Sequence, residues 1–192
     1  MRMRIILLAA SLSLSLVVSP QVDTVHTADA SLRQALTGDW VGVLEYRDFS
    51  EPVTSTKRVD LPTWLSIATL GESMAWKYTY DDGPTKVLEE TDTVTFDPAA
   101  NSYTESSNGK PPSVFSVSGY KALKNGRGVL VLHGSGTDND KPSETRITMT
   151  IRRNLLEITE EVRPAGSADP FAFRHMFRFT RTQPPTVTST RR

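Results

Sequence analysis

The chain contains no cysteine. Disulfides, thiolate nucleophiles, thiolate metal ligands and a lipid-modified N-terminal cysteine are therefore excluded, and whatever folds here is held by its core alone. An excess of charge of either sign is missing too. The 22 basic and 22 acidic side chains cancel, and the isoelectric point lies near 6.8. Such a balance recommends neither nucleic acid nor an anionic membrane surface as partner. Beyond residue 18 no apolar run approaches the roughly 20 residues that a membrane-spanning helix needs. Phosphate-cradling and nucleophile motifs are absent as well. Gly126-Arg127-Gly128 reads as a hairpin turn, and Gly134-Ser135-Gly136 ends a strand with no helix after it.

What is present begins with a targeting segment. Arg2 and Arg4 precede the apolar run Ile5 to Val18, which has the proportions of a signal h-region. Ala28-Asp29-Ala30 offers a small-x-small cleavage site, so residues 1–30 are expected to be a signal peptide and the protein secreted or periplasmic. An uncleaved anchor is the alternative. Residues 31–182 then form one domain. The Pro-Pro and Ser/Thr-rich stretch 183–192 is expected to be a disordered tail.

Within the domain the apolar pattern alternates with period two, in short runs separated by turn signals. About ten strands follow: roughly 39–48, 57–70, 73–80, 86–96, 101–105, 114–122, 127–135, 144–152, 155–162 and the aromatic run from Phe171. A bulge or break is expected at Leu61-Pro62, because proline cannot donate to a ladder. Ser31 to Leu36 reads as a single helical turn leading in. Short turns make sequence neighbours antiparallel neighbours in space. The expected fold is an all-β, antiparallel up-and-down barrel of eight to ten strands, with a two-sheet sandwich as the alternative.

Strand parity selects the interior. Trp40, Gly42, Leu44 and Tyr46 share one face of the first strand, and Met74, Trp76, Tyr78 and Tyr80 one face of the third. In the last strand Phe171, Phe173, His175, Phe177, Phe179 and Arg181 fall on one side. These faces should point inward, since aromatic burial is the largest stabilising contribution open to such a barrel. Glu160 shares parity with Leu156, Ile158 and Val162, and an inward carboxylate needs a partner such as Arg181 or His175.

Leu36-Thr37-Gly38-Asp39-Trp40 resembles the Gly-x-Trp opening of the calycins, the superfamily of lipocalins, fatty-acid-binding proteins and avidins. The absence of a C-terminal helix makes the chain more similar to the fatty-acid-binding or nitrobindin-like shape than to a true lipocalin. The resemblance implies that Arg181 packs over Trp40 as a structural cap, with Arg178 the weaker candidate. It also implies a small, largely apolar ligand, held by Trp76, Tyr78, Tyr80, Phe173, His175 and Phe177. A histidine near the chain end binds haem in nitrobindin-like barrels, so a haem protein using His175 is the rival reading. A filled barrel acting only as an interaction module is the third.

No catalytic residue is named and no cofactor is expected. His133 is read as a core histidine. Metal ligation finds no convergent set: Asp138-Asn139-Asp140 lacks the glycine and glutamate of a calcium loop. Glu89, Glu90, Asp92, Glu157 and Glu161 are read as solvated strand faces rather than an acid–base pair. Oligomeric state is left open.

Overall fold

The computed structural model describes residues 22–52, 55–107 and 110–182. The N-terminal run, the Asn108-Gly109 turn and the tail 183–192 lie outside the described residues. One helix, α1 (Val22–Leu36), precedes ten strands. These are β1 (Gly38–Arg47), β2 (Arg58–Leu70), β3 (Ser73–Asp81), β4 (Val87–Asp97) and β5 (Ser102–Ser107), followed by β6 (Ser113–Ser118), β7 (Gly128–Asp138), β8 (Lys141–Ile151), β9 (Leu155–Pro164) and β10 (Ala172–Arg181). Each strand pairs antiparallel with its sequence neighbours, and β1 pairs with β10 to close the ring. The protein is thus an up-and-down barrel, and the sandwich alternative is set aside.

Four local expectations differ from the structure. The strand expected over 114–122 stops at Ser118, and Tyr120–Ala122 form a 3-10 turn after Gly119, whose φ is positive. The β1–β2 ladder runs without a register shift through Val43↔Pro62. Pairing of β2 with β3 begins only at Thr63, so the missing proline donor falls where that ladder has not yet started. Gly136 to Pro142 is not a loop: β7 and β8 extend to Asp138↔Lys141 and turn on Asn139 and Asp140, both with positive φ, as a tight two-residue hairpin needs. The lead-in helix begins at Val22 rather than Ser31, so the expected cleavage site after Ala30 lies inside α1.

One end of the barrel is closed and filled. Leu32 and Leu36 of α1 are fully buried against it, and Trp40, Met74, Leu130, Ile151, Leu156 and Phe179 pack behind them with at most 1% exposure. Trp40 Nε1 donates to the Leu36 carbonyl (2.9 Å), which fixes the helix to β1. Arg181 lies over the Trp40 ring at 4.0 Å and donates to the carbonyls of Thr37 (2.7 Å) and Ala35 (2.6 Å). Those carbonyls belong to the helix end and would otherwise lack partners. Gly38 is required here twice over: its φ is +125°, and a Cβ would stand 2.6 Å from the Arg181 guanidinium. Among the described residues no helix is long and apolar enough to cross a membrane.

Candidate functional site: the open half of the barrel

Above the packed layer a cavity of about 680 Å³ opens toward the opposite end. Its wall is built by strand parity. β3 contributes Trp76, Tyr78 and Tyr80, and β10 contributes Phe177 and His175. The Tyr78 and Tyr80 rings stack at 5.9 Å and 5° apart, and Phe177 leans on Tyr78 at 5.2 Å. His175 meets Phe177 edge-on at 5.5 Å. Five of the six residues expected at a ligand site therefore come together around one space.

Phe173 does not join them. Phe173 pairs with Glu161 and His175 with Glu160, so Arg174 is an extra residue on β10. A bulge of this kind reverses the facing of everything beyond it. Arg174 turns into the cavity beside His175, while Phe173 lies under the Arg58 guanidinium (4.5 Å). Phe171 follows it outward, where Arg146 (4.5 Å), Arg163 (4.6 Å) and the His133 ring (6.4 Å) surround it. His133 is accordingly an outer-face residue opposite Arg146, not a core histidine.

The bulge also assembles a charged rim. Arg174 donates to Asp138 Oδ1 (2.8 Å) and the Thr137 carbonyl (3.1 Å), and its Nε stands 3.5 Å from Glu160. Arg47, although only 3% exposed, reaches the other oxygen of Asp138 at 3.3 Å. The extended β7–β8 hairpin is what carries Asp138 to both arginines. Glu160 faces His175 Nε2 at 3.6 Å, so its expected partner is found there and not in Arg181, which sits at the closed end. Burial pushes the Glu160 carboxyl up, against the lowering influence of Arg174. Burial, helped by Arg174, holds His175 down at about 4. At neutral pH the imidazole is uncharged.

A second group of carboxylates lies on the far wall. Asp92 and Glu105 face inward, Glu90 stands exposed at the mouth, and Glu89 is a solvated side chain paired with Lys77. Tyr103 donates to Glu105 (2.6 Å), Ser107 to Asp92, and Tyr80 to Glu90 (3.5 Å). Burial first, then the charges of Asp92 and Glu90, push the Glu105 carboxyl up, while Tyr103 and Lys110 oppose the shift. Desolvation and the same acids push the phenols of Tyr78, Tyr80 and Tyr103 up, so all three stay protonated donors. Glu157 and Glu161 do lie outside, paired with Arg178 and Arg146. Among the described residues no three metal-ligating side chains converge.

Iron ligation by His175 would have to share the ring with Glu160, which stands 3.6 Å from its Nε2. Trp76 has a different message. It is 1% exposed on the cavity floor, and its indole N–H has no hydrogen-bond partner. A buried donor left unmade is costly, and a ligand acceptor is the natural way to satisfy it.

Two solved structures share this architecture. The crystal structure of Rv2717c from M. tuberculosis is 16% identical, with a TM-score of 0.52, covering 80% of this chain and 98% of that one. The S-type phycobiliprotein lyase CPES from Guillardia theta is 10% identical, again with a TM-score of 0.52, covering 85% and 99%. At these identities the likeness shows the antiparallel barrel fold alone. No protein-family model matches the chain, and no curated protein matches it significantly.

Proposed function

We propose that the protein is an exported small-molecule binding module, holding a largely apolar ligand in the open half of its barrel. One observation carries the reading: a chamber of about 680 Å³, walled by Trp76, Tyr78, Tyr80 and Phe177, with the indole N–H of Trp76 left without an acceptor. Concave, mostly apolar sites with a few placed polar groups are what small ligands occupy. The filled half supplies rigidity beneath, and the Arg47–Asp138–Arg174–Glu160 rim orders the entrance. The shared fold with a phycobiliprotein lyase is consistent with ligand binding in general. Export rests on the Arg2, Arg4 and Ile5 to Val18 pattern. The reading involves no haem and no catalytic step.

Solvent extraction of gently purified protein, followed by mass spectrometry, tests it. A stoichiometric small organic molecule is expected from the wild type and a reduced amount from Tyr78→Ala. Equal recovery from both proteins would place the molecule elsewhere and defeat the proposal.

A further inference from the structure

The cavity is not neutral, and its charge has a direction. The cationic groups of the rim are already engaged: Arg47 and Arg174 by Asp138, and Arg174 again by Glu160. The far wall is different. Asp92, Glu105 and Glu90 accept hydrogen bonds from hydroxyls, and among the described residues none of them forms an ion pair. Lys110, whose charge acts on Glu105, stands exposed at the mouth. Three carboxylates thus border one space beside the stacked Tyr78 and Tyr80 rings, whose faces attract positive charge as well. Trp76, whose N–H is unpartnered, is the cross-strand neighbour of Asp92 in the β3–β4 ladder, so the wall that offers negative charge also offers one donor.

We infer that the ligand is an amphipathic organic cation: a protonated or quaternary amine carrying an apolar body and a hydrogen-bond acceptor. This rests on the binding-module reading above and sharpens it. The ammonium lies between Glu105, Asp92 and Glu90 and against the tyrosine faces, gaining charge–charge and cation–π attraction in a partly desolvated site. The apolar body runs along Phe177 and Ile158, and its acceptor receives a hydrogen bond from the Trp76 N–H. A fatty acid, whose head is a carboxylate, would instead meet like charge on the acidic wall and no unengaged arginine within it.

Three probes decide the matter: octyltrimethylammonium, nonanoate and 1-octanol, each with an eight-carbon alkyl tail, titrated calorimetrically below their aggregation limits. The cation should bind about tenfold or more tighter than 1-octanol, and nonanoate weakest. Asp92→Asn combined with Glu105→Gln should erase the cation's advantage while 1-octanol binding persists. If that double variant does not fold, Glu90→Gln, at the exposed mouth, should reduce the advantage several-fold. Nonanoate binding as well as the cation, or a preference that survives in the folded variants, would overturn the charge inference while leaving the cavity reading intact. Failure of all three probes to bind, in protein from which extraction also yields no molecule, would overturn both.

Discussion

The guanidinium of Arg181 lies 4.0 Å above the ring of Trp40, one hundred and forty-one positions away in sequence and directly opposite in the β1–β10 ladder. This contact caps the end of the β1–β10 ladder that closes the barrel, and ties both strands to the end of α1. Because the ring is fully buried, Trp40→Ala should cost roughly 3–5 kcal/mol. Arg181→Ala should cost about 2 kcal/mol, since it strands the Ala35 and Thr37 carbonyls as well as losing the stacking. Thermal melts of the two variants check both values; wild-type stability in either would show that the cap does not hold the barrel shut.

Gly42 faces the same junction. A Cβ there would stand 1.9 Å from the Arg178 carbonyl oxygen, a clash with backbone that no side-chain movement relieves. Gly42→Ala should therefore destabilise by about 2 kcal/mol or more, although alanine is ordinarily mild in a strand. Denaturant midpoints will show it, and an unchanged midpoint would mean the two strands are farther apart than described.

The state of His175 sets a pH dependence. Burial holds its pKa at about 4, below the 6.5 of a free imidazole. Below about pH 6.5 the unfolded chain takes up a proton that the folded chain refuses, so stability is present above that pH and lost as pH falls toward 4. The raised carboxyls of Glu160 and Glu105 act in the opposite sense. Comparison with His175→Phe isolates the histidine. Between pH 7 and pH 4.5 the wild type should lose on the order of 2 kcal/mol relative to that variant. Parallel stability curves would contradict a buried neutral imidazole.

Phe173 and Phe177 separate the cavity from its rim. Phe177→Ala should weaken ligand binding by tenfold or more, since the ring forms wall with Tyr78, whereas Phe173→Ala should leave affinity within a few-fold, because that ring stacks under Arg58. Titration of both variants with 1-octanol tests the assignment. A larger loss at Phe173 would mean that the bulge does not turn it outward.

Much of this was legible in the sequence, and the exceptions share a cause. Turn spacing and alternation gave ten strands in meander order, and the Gly38-x-Trp40 pairing with Arg181 emerged as the resemblance implied. Parity counting, however, assumes an unbroken period of two. The extra residue Arg174 breaks it, so Phe173 and Phe171 leave the interior and an arginine enters. The rim was hidden for another reason: Arg47 and Asp138 are ninety-one residues apart, and the strand that unites them runs through Gly136 and Pro142, which read as loop. The Asn139-Asp140 dipeptide was the available signal for a tight hairpin there. Alternation could also have placed Asp92 inward with Val94 and Phe96, had its polarity not argued for solvent.

The most direct test of the central claim is a titration of the wild type and of Ile158→Trp with 1-octanol, followed by calorimetry. Ile158 lines the chamber between Met149 and Phe177, so the larger ring should occupy the space a ligand needs. The account predicts saturable one-to-one binding to the wild type and at least a tenfold loss in the variant, with the fold retained. Binding of equal strength to both proteins would show that the open half of the barrel is not where a ligand is held.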